Sequence, residues 1–494
     1  MVEPGSGPLM SVLSASPRAR PQHQRLRGGA LGLLDIASST MADIGPAMSF
    51  AFGFGFLATT AGVASPLTIV AAALVVALLG NTLSQFSRAH PSAGSFITFV
   101  GKTFGGTSAV TTALLVTLGY IIGISAVIAV SGGLLATTLD RYAGWSPPWF
   151  VWSLILTGLA LALMVRGIVI STKVAGFFFA VEMLVLVIVS VTAIIEHRGH
   201  LSLTPFLPSH ISNGMSGLAA GFPLAVYLFI GWENSAALAE ESENPRRNVG
   251  RAVFSSVAIM AVSYVLFAYA TVTGFGYAMD KVHASDVPFF TVAQGALGAF
   301  TFLAYVAGMT STLGSLIAGT NSQTRMLFNA GRERLLPAFL GYVHPIRRTP
   351  TNAITTFTAA AILIIGGWGL GHVLGHHPAM SATAFFAEAS TMATTLILLV
   401  YLASNIALPF YYRRYRPTEF RAVRHAVVPA LGAAAIVIPL YYLLKPGQPA
   451  PYSWFPYLAL GLLAASVVYA VIFTRRDPAL GERVGSVVAD GYEE

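Results

Sequence analysis

Residues 33–56 read LLDIASSTMADIGPAMSFAFGFGF. About 20 apolar residues span the hydrocarbon core of a bilayer as a helix, so this run is long enough to cross. Near its middle stands Asp43-Ile44-Gly45-Pro46. Pro46 has no N–H, so the Ala42 carbonyl loses its helical partner and the ring pushes that turn open. A helix restarting after Pro46 aims the amides of Ala47, Met48 and Ser49, at its positive dipole end, toward the membrane midplane. The first span is therefore a broken one.

Eleven further apolar runs follow, at about 65–83, 110–135, 148–165, 168–195, 215–238, 252–275, 300–327, 353–370, 385–411, 427–444 and 455–473. They are continuous, where the strands of a β-barrel would alternate with a period of two. The expected fold class is all-α integral membrane, with about 12 transmembrane helices. Composition agrees: of 494 residues 55% are hydrophobic and only 10% charged, against about a quarter charged in soluble domains. Mean hydropathy is +0.70.

The net charge of +8 is explained by where the basic residues fall. With the N-terminus inside, all but Arg141, Arg198, Lys281 and Lys445 of the 28 Lys and Arg lie in cytoplasmic segments. This positive-inside bias predicts two cytoplasmic termini and makes a nucleic-acid partner unnecessary. The polar gaps are too short for a separate catalytic or nucleotide-binding domain, and no GxxxxGK[ST] loop is present. Energy must then come from a gradient or from exchange. There is no cysteine, hence no disulfide framework and no thiolate metal site. Residues 1–30, rich in Pro, Ser, Gly and Arg, are expected to be a disordered tail. They lack the apolar core of a cleavable signal peptide. Residues 477–494 are expected to form a short cytoplasmic tail.

A second interruption, Phe229-Ile230-Gly231-Trp232-Glu233, falls at the same depth in the sixth span, with Pro223 upstream. The first and sixth spans are corresponding positions of two five-helix halves. Paired breaks in matching places point to a midplane binding site in an inverted-repeat transporter. Gly and Pro also kink membrane helices without any such role, so the acids in the spans matter. An ionised carboxylate at mid-bilayer costs about 2.5–3.5 kcal/mol on insertion scales, and each needs a reason. Asp43, Glu182, Glu233 and Glu388 are the candidates. Glu182 follows the apolar stretch Phe177-Phe178-Phe179-Ala180-Val181, where desolvation penalises its charged form, and is the candidate for proton coupling. Its alternative is a neutral acid bonded to a neighbouring helix. Glu233 either gates or caps the restarted half-helix. Asp43 either attracts a substrate ammonium or stabilises irregular backbone. Glu388 is expected to face only an aqueous vestibule. Thr310, Ser311, Thr312 and Ser315 in the eighth span are read as close-packing residues before a sodium site. The histidines at 372, 376 and 377 are read as surface residues, with no metal or cofactor implied.

Several stretches resemble the amino acid–polyamine–organocation permeases. They are Pro91-Ser92-Ala93-Gly94-Ser95-Phe96, Phe229-Ile230-Gly231-Trp232-Glu233, and Ala239-Glu240-Glu241-Ser242-Glu243-Asn244-Pro245-Arg246-Arg247. Asn321 with Arg325, then Arg334-Leu335-Leu336-Pro337 and Arg348-Thr349-Pro350, continue the likeness in the family's order. The resemblance implies a transporter domain over 31–476: inverted five-helix repeats at about 31–198 and 213–411, plus two extra helices at 427–473. It implies a substrate carboxylate on the amides of Ile44, Gly45 and Ala47. It places the substrate ammonium on carbonyls of Met41, Ala42, Phe229 and Ile230, beside Gly231, with Tyr227 as an aromatic gate. The expected function is secondary active transport of amino acids across a cell (inner) membrane, proton-coupled or exchanging, with sodium as the other possible ion. A polyamine or organic-amine carrier of the same fold is the alternative, which the excess of buried acid favours. The chain departs from the family's usual Gly-Ser-Gly-like break, because Pro46 removes a donor and Asp43 adds a charge. It also carries Glu182 where some proton-coupled relatives have a lysine. A channel or membrane-embedded enzyme finds no motif in the spans.

Overall fold

The computed structural model describes residues 26–212, 214–285, 287–375, 380–486 and 488–489. Most of the N-terminal tail and the histidines at 376 and 377 therefore lie outside the described residues. The described residues form helices joined by loops and turns. The first group of helices is α1 (Leu33–Ile44), α2 (Pro46–Ala61), α3 (Ser65–Ala89), α4 (Ser95–Phe104), α5 (Gly106–Ala143), α6 (Trp149–Met164) and α7 (Ile168–Glu196). Then come α8 (Gly214–Tyr227), α9 (Asn234–Ala237), α10 (Pro245–Gly274), α11 (Met279–His283), α12 (Pro288–Leu297) and α13 (Phe302–Arg332). The last are α14 (Thr351–Leu374), α15 (Ala382–Tyr415), α16 (Val428–Leu444), α17 (Phe455–Arg476) and α18 (Leu480–Arg483). Among the described residues no strand forms, and one isolated bridge pairs Leu31 with Ser242.

Nine helical stretches among the described residues are long and apolar enough to cross a membrane, the first of them, Leu33–Ala89, running through α1 to α3. Two shorter apolar helices, α6 and α8, accompany them. Each run expected from the sequence coincides with helix, and the two broken runs coincide with helix pairs, α1–α2 and α8–α9. The segment between α3 and α5 contains the short helix α4. Eight of the ten residues of α4 are buried against the bundle.

Burial is graded across the bundle. The most apolar windows of α5 and α15 are mostly enclosed, whereas those of α14, α16 and α17 are mostly open. The open surface is itself apolar: Leu363, Leu431, Tyr457 and Val468 are all more than half exposed. A water-soluble chain rarely leaves so many large apolar side chains uncovered. A bilayer supplies the missing neighbour.

Inside, α15 packs along α5, α10 along α3, and α13 along α7, with α1 lodged between α7, α10 and α13. The broken helices are thus held at the centre. At one end of the bundle the amides of Ala30 and Leu31 both donate to the Glu241 carbonyl at 2.9 Å, and Glu243 N–H donates to Leu31 O at 3.0 Å. The start of α1 is tied by backbone to the segment that follows α9. At that same end the chain after α17 folds back. Leu480 and Val484 are fully buried, Gly485 N–H donates to Glu333 Oε1 at 3.0 Å, and Ala489 N–H reaches Pro91 O at 2.9 Å.

Candidate substrate site

Gly45 ends α1 in the left-handed region, φ +60°, which glycine adopts at little cost. Its N–H closes α1 by donating to Met41 O at 3.2 Å, and Pro46 opens α2 where a missing N–H does no harm. The next amides must find partners outside their own helix. Ala47 N–H donates to Glu182 Oε2 at 3.0 Å, and Met48 N–H donates to Ser311 Oγ at 2.9 Å. The opened carbonyls are also met: Ser315 Oγ donates to Asp43 O at 2.8 Å, and Ser49 Oγ to Ile44 O at 2.6 Å. So α7 and α13 clamp the break from one side. Of the hydroxyl stripe read as packing, Ser311 and Ser315 serve the break, while Thr310 and Thr312 donate to carbonyls of their own helix.

The second break lies directly against the first. After α8 the chain leaves the helix, and Gly231 takes φ +107°. A Cβ built there would sit 2.9 Å from Ile44 N and 3.1 Å from Asp43 C, so only glycine permits this approach. Glu233 turns back on the break: its Oε2 accepts Gly231 N–H at 3.1 Å and its Oε1 accepts the Tyr120 hydroxyl at 2.7 Å. Asn234 Nδ2 donates to Asp43 Oδ2 at 3.0 Å and to Ala318 O at 3.2 Å. One residue thereby joins both breaks to α13. Gly319 lets α13 approach the other side of Asp43, since a Cβ there would lie 2.4 Å from Asp43 Oδ1.

A central cavity of about 60 Å³ opens beside the two breaks. Of the expected binding residues, Asp43, Ile44, Tyr227, Ile230 and Gly231 line it. Met41, Ala42, Gly45, Ala47 and Phe229 do not, and neither do Glu182 and Glu233. Met41 O is spent on Gly45 N–H, and Phe229 O on Trp232 N–H at 3.1 Å. The wall opposite comes from α5 (Tyr120, Gly123, Ile124, Val127) and α15 (Ser390, Ala393, Thr394, Ile397). No Lys or Arg is among the lining residues.

Tyr227 borders the central cavity on one side and a cavity of about 370 Å³ on the other. Its ring packs edge-on against Phe386, centroids 6.1 Å apart, and Phe386 meets Phe52 at 5.8 Å. Beyond these rings a recess of about 1290 Å³ opens, bordered by Glu388. Glu388 is itself buried and accepts Trp368 Nε1–H at 2.6 Å, with His372 Nε2 3.9 Å away. On the opposite side two ion pairs close the bundle. Fully buried Arg325 holds the carboxylate of Glu241 through two nitrogens and also reaches Asn321 O, and Arg332 holds Glu240 likewise. The run of acids between α9 and α10 supplies both carboxylates, and their partners are Arg325 and Arg332 of α13.

Tyr120, Asn234, Gly319 and Gln323 were not singled out by sequence reasoning, although all four border the cavity or touch Asp43. For α13 a signal existed: Ser311, Ser315 and Gly319 recur at four-residue spacing and share one helix face. For Tyr120 and Asn234 no local pattern distinguishes them from their neighbours.

Comparison with known proteins gives this geometry its context. The uncharacterized amino acid permease YecA of Bacillus subtilis (strain 168) is 26% identical over 314 residues, covering 63% of this chain and 72% of the relative. The branched-chain amino acid permease BcaP of the same organism is 24% identical over 477 residues, 92% of this chain and 95% of the relative. The methylthioribose transporter of that organism is 25% identical over 406 residues, covering 78% and 84%. The sequence profile of the amino acid permease family matches residues 31–479, from the segment bonded to Glu241 through both breaks to the chain past α17. With its all-helical membrane architecture, this chain belongs to the amino acid permease family.

Proposed function

We propose that the chain is a secondary active transporter that moves amino acids across the plasma membrane by alternating access. The observation that carries this is the contact between the two helix breaks, with Gly231 against the backbone of Asp43 and Ile44 at the edge of the central cavity. Backbone freed from helix at mid-membrane is costly and persists only where protein buries it or it lines a water-filled cavity, and paired breaks of this kind form the solute site in inverted-repeat transporters. The amino acid assignment draws on relatives described as amino acid permeases, BcaP as one for branched-chain substrates. A wall containing Gly123, Ile124, Val127, Ala393 and Ile397 suits an aliphatic side chain.

In this account the chain crosses the membrane twelve times with both ends cytoplasmic, as repeats 31–198 and 213–411 with extra helices at 427–473. The cavity of about 60 Å³ has room for about two waters, so substrate enters when the bundle opens. Outward opening moves the Tyr227–Phe386–Phe52 cover, and inward opening parts Arg325 from Glu241. Asp43 meets the substrate ammonium. Glu182 holds the amide end of α2, and protonation removes the negative charge that favours that half-helix dipole, which links proton uptake to movement of the break.

One observation favours the alternative of an organic-amine carrier. The Ala47 and Met48 amides are already committed to Glu182 and Ser311, while Asp43 offers a carboxylate to the cavity. An amine needs no amide donors, whereas an amino acid must displace one of these partners or use side-chain donors. Competition between labelled amino acid and putrescine for uptake into proteoliposomes decides it. Saturable amino acid uptake that putrescine does not inhibit supports the first reading, and the converse supports the second.

A further inference from the structure

Between the end of α3, the start of α10 and the connection from α15 to α16 lies a groove of about 1130 Å³. Arg88, Arg246, Arg247, Arg251, Arg421 and Arg424 line it, all exposed. Its one acid, Glu419, is engaged by Arg416 at 2.6 Å. Arg246 Nη1 donates to the Arg88 carbonyl at 2.6 Å, which brings α10 onto the end of α3. Among the described residues, the guanidinium groups of Arg88, Arg247, Arg251, Arg421 and Arg424 donate no hydrogen bond and form no ion pair.

The backbone that carries these side chains is pinned. Asn81 Nδ2 donates to Arg424 O at 2.8 Å, and the buried His425 ring stacks on Tyr412 at 3.7 Å with its Nε2 3.2 Å from Gln85 Oε1. The Tyr412 hydroxyl donates to Gln85 O at 3.0 Å. Like charges held together on fixed backbone repel one another unless an anion sits among them. Guanidinium groups bind phosphate oxygens in pairs through parallel N–H donors. The groove also has an apolar side, with Leu33 and the 42% exposed ring of Phe254 in its wall. Because α3 and α10 are membrane helices, their ends lie at headgroup level.

We propose that this groove binds the phosphodiester headgroup of an anionic phospholipid, with an acyl chain along Phe254. Basic pockets between membrane helices are suited to such headgroups. The bound lipid bridges α3, α10 and the α15–α16 connection.

The test is thermal unfolding of the detergent-purified full chain with added phosphatidylglycerol, phosphatidylcholine or inorganic phosphate. Phosphatidylglycerol is expected to raise the midpoint by several degrees, with phosphatidylcholine and phosphate giving no comparable rise. The double variant Arg88→Gln/Arg424→Gln should lose that rise, while Arg475→Gln/Arg476→Gln, which removes the same charge outside the groove, should keep it. Loss in both variants overturns the proposal in favour of diffuse charge attraction. An equal rise with inorganic phosphate overturns the lipid as ligand. A response to phosphatidylglycerol that appears only after deletion of residues 490–494, which include Asp490, Glu493 and Glu494, assigns the groove to the chain's own acidic end instead.

Discussion

The amide of Ala47, first free donor of the restarted helix α2, donates to the carboxyl of Glu182 on α7 at 3.0 Å across 135 residues of sequence. The other oxygen of that carboxyl, Oε1, is buried and makes no hydrogen bond. A group held by one oxygen at the point where α1 and α2 part is placed to sense whether the break moves. In Glu182→Gln, uptake is expected to lose its dependence on an imposed proton gradient while solute binding stays within a few-fold of the parent. Gradient-driven uptake in proteoliposomes, with equilibrium binding beside it, reads both. Unchanged dependence would remove Glu182 from coupling.

Gly231 fails as any larger residue for two separate reasons. Its φ of +107° strains L side chains, at about 1–3 kcal/mol, and a Cβ lands 2.9 Å from Ile44 N. Gly231→Ala should weaken substrate binding at least tenfold, and Gly231→Leu should abolish it in protein that still elutes as a folded species. Parent-like affinity in a folded Gly231→Leu protein would take this break out of the site.

Arg325 and Glu241 are both fully buried and bonded to each other. Removing one partner strands a buried charge, at about 3–5 kcal/mol, whereas replacing both with apolar residues is often nearly neutral. Arg325→Met is expected to lower thermal stability sharply, and Arg325→Met/Glu241→Leu to recover most of the loss. If this pair is also the inner closure, the double variant should show raised solute efflux. A double variant as unstable as the single one would mean that the bond to Asn321 O, and not the ion pair, carries the contact.

The returning chain after α17 makes docking depend on pH. Burial pushes the Glu333 carboxyl up to about 7, against the opposing effects of Gly485 N–H and Arg332. With the segment released, Glu333 meets water and its pKa falls back toward 4.5. Through Glu333 the docked state binds more protons between those values, so this contribution to docking is present at acid pH and is lost as pH rises through 7. His90, whose Nε2 lies 3.0 Å from Gly485 O, is pushed down to about 4 by burial and by Lys102, so on release it regains the ordinary value of 6.5 and takes up a proton at acid pH, which opposes Glu333 below that pH. In a His90→Gln background, the protection of residues 480–486, with the base-catalysed intrinsic exchange rate divided out, should therefore fall from pH 6 to 8, and adding Glu333→Gln should flatten the profile. Protection that rises with pH in that background would reverse the sign and remove Glu333 from the docking equilibrium.

Helix positions were legible in the sequence because each apolar run carries its own signal at a length set by the bilayer. The two breaks were legible for the same local reason, since Gly45-Pro46 and Gly231 interrupt helix wherever they stand. The partners of those breaks were not. Glu182 appears from sequence as an isolated acid, and its bond to Ala47 depends on α7 lying against the start of α2, a contact no local pattern encodes. Asn234 and Tyr120 look ordinary until the fold sets them beside Asp43 and Glu233. The docking of residues 480–486 was invisible because Leu480 and Val484, though one helical turn apart, are a single apolar pair, too short to mark an amphipathic face.

The paired breaks are proposed to form the site of a gradient-driven amino acid carrier. The most direct test is uptake of labelled branched-chain amino acids by purified protein in proteoliposomes, with and without an inward proton gradient, beside Gly231→Leu. Saturable uptake that the gradient stimulates severalfold and that Gly231→Leu abolishes is expected. Saturable uptake that persists in folded Gly231→Leu would contradict it, as would a folded parent protein that transports neither amino acids nor putrescine.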